Sequence, residues 1–294
     1  MTQPVLTIAI PTYNRAYHLD RQLEWAVRSI AERWDQVELI VSDNGSRDAT
    51  PEICARWQQR TNGQLRVFRH PSNLGLTLNA LYCIQQASGQ YVWLVSDDDE
   101  VMNHTFDWVL QALSIHSDKN LSLIHLNGIM KSKQGEVLAE SIYTFRRDRL
   151  EKPGILLFQE CSRQSNLFIG LTWSIYLTQA AKRAIEYWSG IKNNLAFPVF
   201  LAGYTASQGS MLVRAEPSVA FIDGTTSFQS IWPVVDFYLL PEVYIKLSEL
   251  GYHKEFIRAK ILSNLSLIRF VIKFPIQSIR SIRLYIKAFR LKKN

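Results

Sequence analysis

The chain has 294 residues, 47% of them apolar and 20% charged, with a formal net charge of +7. That composition excludes a disordered protein and suffices for one large domain, with or without an appendage. Three cysteines, Cys54, Cys83 and Cys161, show no CxxC spacing, which excludes a cysteine-rich zinc site and predicts free thiols in a reducing compartment.

Val5–Ile10 reads as a strand stopped by Pro11, and Pro11–Arg15 as a loop. From His18 to Ala31, Leu19, Leu23, Ala26, Val27 and Ile30 share one helical face. Val37–Val41 is a second strand, followed by the turn formers Ser42 to Ser46. Asp48 or Thr50 is placed to cap the next helix, with Pro51 in its first turn. Leu65–Phe68 is a third strand. The loop His70–Gly75 leads to a helix with Leu74, Leu78, Leu81 and Tyr82 on one face, and Tyr91–Val95 is a fourth strand. This alternation predicts an α/β protein with a mostly parallel central sheet and helices on both faces. Further on, a helix is expected from about Thr105 to Leu113, a strand over Leu121–Leu126 and a hairpin turn at Lys131–Gly135. Phe168–Tyr176 suits strand and turn, Thr178–Trp188 a helix, and Met211–Val213 and Val219–Ile222 two short late strands. From Val235 onward the pattern is helical.

Charge is uneven along this order. Ten cations and no acid follow Glu255, so the chain before them carries a net −3. The start, Met1 to Val5, lacks the basic and apolar segments of a secretion signal. The longest uncharged run, Asn193 to Val213, is interrupted by Pro, Gly and polar residues, and no transmembrane helix is expected there.

The polar turns of the first hundred residues each follow a strand, and in a parallel sheet they share one edge, where open α/β sheets bind ligands. That edge brings together Asn14, Asp43, Asn44 and the run Asp97-Asp98-Asp99. Three adjacent carboxylates need a cation, basic groups or bulk water, and a diphosphate needs a metal held by one or two carboxylates. Arg15 and Asn73 add donors for the same ligand. Taken singly, Asp43-Asn-Gly is an ordinary turn and three aspartates suit a solvated loop or a helix cap; their joint placement carries the functional reading.

Ile10-Pro-Thr-Tyr-Asn-Arg15, Leu39-Ile-Val-Ser-Asp-Asn-Gly-Ser-Arg-Asp-Ala-Thr50, Asn73-Leu-Gly75 and Gly89-Gln-Tyr-Val-Trp-Leu-Val-Ser-Asp-Asp-Asp99, in this order, resemble the inverting family 2 glycosyltransferases with a GT-A fold. The likeness covers about residues 4 to 110. Its Trp-Leu-x-x-Asp-Asp-Asp form is similar to the abequosyltransferase-like bacterial branch that decorates O-antigens and other surface polysaccharides. The resemblance implies that Pro11, Thr12 and Tyr13 line the nucleoside pocket and that Asp43 accepts from the base, with Asn44 nearby. It implies Asp97 and Asp98 at the ribose and diphosphate, and Asp99, with Asp97, as ligand of Mn²⁺ or Mg²⁺. It also implies an acceptor hydroxyl that attacks the anomeric carbon and inverts it.

Such an attack needs a general base. Many relatives carry an acid or His at the start of the helix after the Phe168–Tyr176 segment; the comparable stretch here is Asn194-Leu-Ala-Phe-Pro-Val-Phe200, and no acid occurs between Glu186 and Glu216. Asp223 is the first substitute, followed by Glu216 and Glu160. The histidines show no metal-binding spacing, and the absence of GxGxxG, GxxxxGK[ST] and a Ser-His-Asp order argues against a dehydrogenase, a P-loop enzyme and a hydrolase.

In Ile279 to Arg290, the stripe Ile279, Ile282, Ile286 and Phe289 lies beside Arg280, Arg283, Lys287 and Arg290. A basic amphipathic helix reads as a membrane-surface element, and no stacking aromatics alternate with the cations as nucleic-acid binding would require. The expected organisation is a glycosyltransferase domain over 1–230, with a nucleotide-sugar half (1–110) and an acceptor half (111–230), and a helical basic extension over 231–294. The expected activity is metal-dependent transfer from a nucleotide-sugar to a glycan or lipid-linked glycan, on the cytoplasmic side of a membrane. A sugar nucleotidyltransferase, disfavoured because Pro11–Arg15 is no Gly-rich phosphate loop, and a non-catalytic nucleotide-sugar-binding protein are the alternatives.

Overall fold

A computed structural model describes residues 3–132, 134–165, 167–222, 232–262 and 275–290, with side chains 280–287 of the last segment. Four parallel strands, β1 (Leu6–Thr12), β2 (Val37–Asp43), β3 (Leu65–Arg69) and β4 (Tyr91–Leu94), lie in the order β3-β2-β1-β4. Their order and direction are those expected of successive βαβ units. The sheet then continues through β9 (Ser174–Leu177), β6 (Leu121–Lys131), β10 (Ser210–Ile222) and β5 (Glu100–Val101). β9 is antiparallel to both neighbours, and β10 runs parallel to β6. Two short strands, β7 (Val137–Ala139) and β8 (Arg149–Glu151), pair with β6 and β10. Because β5 pairs with β10, the aspartate segment between β4 and β5 crosses the strand-end edge from one half of the sheet to the other.

Alternation of side chains sorts the strands into two cores. Leu6, Ile8 and Ile10 of β1 and Tyr91 and Trp93 of β4 face α1 (Ala16–Ile30), α2 (Thr50–Arg60) and α4 (Thr105–Ile115). Ala9, Val92 and Leu94 face the opposite core, which holds α3 (Leu76–Gln86), α5 (Gly154–Gln164), α6 (Thr178–Tyr187) and α7 (Phe197–Ala206). All ten residues of α7 are buried, which explains the long uncharged run: it is a core helix leading into β10. Among the described residues no helix is long and apolar enough to cross a membrane.

After β10 come a helical turn, α8 (Trp232–Val234), a π-helical segment (Val235–Leu239), α9 (Leu240–Leu247), α10 (Lys254–Leu262) and α11 (Pro275–Arg290). Val243, Tyr244, Leu247, Phe256 and Ile257 share the core with α7.

Three local expectations are corrected, and the last helix shows which of its faces packs inward. β1 does not stop at Pro11 but pairs through it, Pro11 with Ser42 and Thr12 with Asp43. The N–H that proline lacks falls on the β4 side, where pairing has already ended at Ala9 and Leu94. Leu74 and Leu78 are exposed, since the inward face of α3 is Thr77, Ala80, Leu81 and Ile84. The two late strands are one, β10, with irregular register around Pro217. On α11, Ile282 and Ile286 face outward while Ser281 is buried.

Candidate active site

The ends of β1, β2 and β4 place Thr12, Asp43 and Asp97 on one edge. Thr12 Oγ1 donates to Asp97 Oδ2 (2.6 Å), and Arg15 Nη1 donates to Asp97 Oδ1 (3.0 Å) and to Asp98. Ser96 Oγ donates to the other oxygen of Asp98 (2.5 Å). Asp99 accepts from Thr172 Oγ1, whose oxygen also accepts from the Ser96 backbone N–H (2.9 Å). Thr172 is fixed in turn because Trp93 Nε1 donates to its carbonyl (2.7 Å).

One guanidinium therefore faces three carboxylates. Burial pushes Asp97 above the usual range, against the hydrogen bonds from Thr12 and Arg15. Asp98 is pushed up by burial as well, but Ser96 and Arg15 outweigh that and hold it low. Asp99, with only Thr172 beside it, is pushed up to about 7 by burial and by the charges of Asp98 and Asp97. The aspartates open onto a cleft of about 630 Å³ that runs along α1 and is also lined by His18, Arg21, Arg28, Asn103, His104 and Ile222.

The edge is tighter at the ends of β1 and β2. Pro11 and Thr12 are buried, whereas Tyr13 and Asn14 are exposed. Asn14 has a positive φ of 53°, held by its N–H to Ser46 Oγ (2.8 Å) and by Arg47 N–H to its Oδ1 (2.8 Å). Asp43 is 1% exposed. Its Oδ1 accepts from Ser46 N–H (2.9 Å), while Oδ2 lies 3.3 Å from Arg69 Nε without a hydrogen bond of good geometry. Asn44 does not point to open space: its Oδ1 accepts from Leu74 N–H and its Nδ2 donates to Asn73 Oδ1, both at 2.8 Å. Asn73 Oδ1 also accepts from Gly75 N–H (2.8 Å). Asn44 and Asn73 thus tie the 70–75 loop to the end of β2.

Of the three acids considered as a base, two lie among the described residues. Glu160 on α5 pairs with Arg149 (2.6 Å) beside β10. Glu216 is exposed, bonded to Arg214 (2.6 Å) and 3.7 Å from His104 Nε2 on the cleft wall. Asp223 lies outside the described residues. Asn194 lies in the turn before α7, its Oδ1 accepting from Ala196 N–H (2.8 Å).

A family model described as "Glycosyl transferase family 2" matches residues 7–162, more than half of the chain. The chain belongs to glycosyl transferase family 2. The chain is similar to abequosyltransferase RfbV of Salmonella typhimurium, with 32% identity over 95 residues, 32% of this chain and 28% of that protein. It is also similar to the GalNAc(5)-diNAcBac-PP-undecaprenol beta-1,3-glucosyltransferase of Campylobacter jejuni, with 29% identity over 110 residues, 37% of this chain and 34% of that one. These matches span about a third of the relatives' lengths. The fold of this family 2 glycosyltransferase is GT-A. Residues 1–349 of S. aureus TarS superpose with a TM-score of 0.68 at 16% identity, covering 96% of this chain and 80% of that one. The mannosyltransferase PcManGT from Pyrobaculum calidifontis superposes with a TM-score of 0.59 at 15% identity, covering 100% and 77%.

Sequence reasoning missed several residues that shape the site of this family 2 chain. Thr172 positions Asp99; a lone Thr in an apolar segment carries no signal of that. Asp48 accepts from Ala16 N–H (3.1 Å) as well as Thr50 N–H (3.0 Å), so one carboxylate serves the first turns of both α1 and α2. Asn79 on α3 accepts from Ser42 Oγ (2.6 Å) and donates to the Ser42 carbonyl (3.0 Å), bracing the β2 end.

Proposed function

We propose that this chain transfers a sugar from a nucleotide-diphospho-sugar to a lipid-linked glycan in surface-polysaccharide synthesis, with inversion at the anomeric carbon. The observation that carries the reading is the excess of carboxylate over cation at the strand-end edge. Among the described residues Arg15 is the cation that pairs with Asp97 and Asp98, none pairs with Asp99, and Asp99 is driven to about 7. Such a site is completed by a divalent ion and a diphosphate.

The residues fit a hard cation. Thr172 occupies one oxygen of Asp99, and the other accepts no hydrogen bond from a described residue. No three His, Cys, Asp or Glu side chains converge on an ion among the described residues. The remaining oxygens would then come from water and the diphosphate, as is usual for Mg²⁺ and suits Mn²⁺. When bound, the ion supplies Lewis-acid stabilisation to the departing diphosphate, with Asp99 as main ligand and Asp97 as the second.

The chain's own residues do the rest. The under-satisfied Asp43 Oδ2 accepts from an N–H of the base, and Tyr13 covers its face. Asn44 and Asn73 act by holding the 70–75 loop in place. Arg15 exchanges a carboxylate for a phosphate oxygen when donor enters. The acceptor oxygen bonds to the anomeric carbon as the bond to the diphosphate breaks, and the hydroxyl proton passes to a base. Glu216 reaches the cleft rim through His104, but its bond from Arg214 holds it below the usual range, which weakens it in that role. Asp223 and Glu160 remain the other assignments. Residues 1–110 bind donor, 111–230 receive acceptor and 231–294 form the extension in this scheme, on the cytoplasmic side of a membrane.

The test is a product analysis with a panel of nucleotide-sugars, Mn²⁺ or Mg²⁺ and a lipid-linked glycan. Release of nucleoside diphosphate with glycosylated acceptor supports the proposal. Pyrophosphate would instead indicate nucleotidyl transfer, and binding without turnover a non-catalytic protein.

A further inference from the structure

The basic C-terminal helix has two unlike faces. Ser281 is fully buried, and Leu284 and Tyr285 pack on the core that contains α7 and α9. Through this face α11 contacts α9, α10 and the π-helical segment. The opposite face presents Ile282 (42% exposed) and Ile286 (45% exposed), with Arg280, Arg283 and Lys287 exposed around them. Packing on the domain therefore consumes one stripe of the helix and leaves a second apolar stripe in the open. Exposed β-branched residues one turn apart, bordered by arginine and lysine, form a surface suited to a partner that is apolar and anionic at once.

Position adds to this. α7 leads into β10, which rises to the strand-end edge, so the N-terminus of α7 stands at the edge that carries the aspartates. Asn194 there donates from Nδ2 to Glu242 Oε2 of α9 (2.9 Å) and to the Leu239 carbonyl (3.1 Å). Burial raises the Glu242 carboxyl, with Asn194 and the charge of Arg280 acting against it. Glu249 is held low chiefly by Lys246, with Lys287 a further nearby charge. Arg283 stands beside the isoleucines.

We propose that the outward face of α11 is a docking surface for an anionic phospholipid bilayer. Ile282 and Ile286 enter the boundary between headgroups and acyl chains, with Arg283 and its neighbouring cations at the lipid phosphates. Charge complementarity selects this occupant: Arg280, Arg283 and Lys287 are exposed on this helix, and no acidic residue follows Glu255 in the sequence. Neither contribution suffices by itself, since two isoleucines anchor weakly and surface charge is screened by salt. Binding therefore requires both and is salt-sensitive. The inference rests on the lipid-linked acceptor of the preceding section, because docking brings the aspartate edge to that acceptor.

The test uses the full chain in vesicle co-sedimentation with phosphatidylcholine alone and with added phosphatidylglycerol, at low and high salt. The expected result is binding to anionic vesicles that weakens with salt, with little binding to neutral ones. Ile282→Glu with Ile286→Glu lowers vesicle partitioning about tenfold or more, and Arg283→Glu lowers it while leaving the isoleucines in place. Transfer to a lipid-free acceptor analogue stays unchanged in both variants, which also reports that they fold. Equal partitioning of the double variant and the unaltered chain overturns the proposal. So does a dimer in sedimentation velocity that the double variant dissolves with no change in vesicle binding, which assigns the face to a second copy of the chain. Vesicle binding without any sugar transfer leaves the docking surface standing and removes the proposed activity; transfer without vesicle binding does the reverse.

Discussion

Asp99→Asn is expected to stabilise the metal-free protein while removing its response to divalent ions. The Asp99 carboxyl moves from 3.8 to about 7 in the fold. At about 1.4 kcal/mol per unit, keeping it ionised costs at most about 4 kcal/mol. Asp99 is partly exposed and coupled to two other acids, so about half of that, ~2 kcal/mol, is a realistic figure. Asparagine keeps an oxygen to accept from Thr172 and removes the charge. Between the two pKa values the folded state holds a proton that the unfolded state has released, so stability falls as pH rises towards 7, and the full penalty is present above it. The assay is thermal unfolding in chelator at pH 8 and pH 4. At pH 8 the variant should melt about 4 °C or more above the unaltered chain, with a much smaller gap at pH 4. Adding Mn²⁺ to a sample that already holds a nucleoside diphosphate should raise the melting temperature further in the unaltered chain only. A variant that melts lower at pH 8, or by the same margin at both pH values, would refute the reasoning.

Thr172→Val removes a hydroxyl that donates to Asp99 and accepts from Ser96 N–H; it should cost about 1–3 kcal/mol in urea unfolding and raise the donor KM, with Thr172→Ser restoring both. His125 is buried between Ser174 Oγ (3.0 Å) and Tyr143 OH (2.8 Å) and falls from 6.5 to about 3 through burial. Its folded pKa is lowered, so stability is lost as pH drops below 6.5, by up to about 4–5 kcal/mol at pH 3; His125→Gln should flatten that acid limb in pH-resolved unfolding. Gly128→Ala would set a methyl 2.2 Å from the Trp173 ring and 2.4 Å from the Val219 carbonyl. It should lower the urea midpoint by the equivalent of about 1–3 kcal/mol, and an unchanged midpoint would contradict the packing of β6 against Trp173 and β10.

The first four strands were legible because each apolar run ends in turn formers, and a parallel sheet sends such turns to one edge. That reasoning alone brought Asn14, Asp43 and Asp97 to one edge, and the family resemblance added Thr12. Pro11 misled because its effect depends on which side of the strand is paired, a property of the neighbour and not of the residue. The tie between Asn44 and Asn73 was not legible, because a sequence does not show which amides meet. Thr172 was invisible for a similar reason: its role depends on β9 entering antiparallel between β4 and β6, a long-range choice with no local signature. On α11 the stripe Ile282 and Ile286 was read from helical spacing, but the inward residues Ser281, Leu284 and Tyr285 became identifiable only once the helix was seated on α9. The base stays unassigned by geometry, since Glu160 and Glu216 are held by arginines.

Calorimetric titration of nucleoside diphosphates, with and without Mn²⁺, into the unaltered chain, Asp43→Ala and Asp99→Asn tests the central claim most directly. If the strand-end edge is the donor site, the unaltered chain binds one nucleoside diphosphate in an ion-dependent manner. Asp43→Ala then loses discrimination between bases, and Asp99→Asn loses the dependence on Mn²⁺. Binding that is unchanged in both variants would place the nucleotide elsewhere and contradict the account.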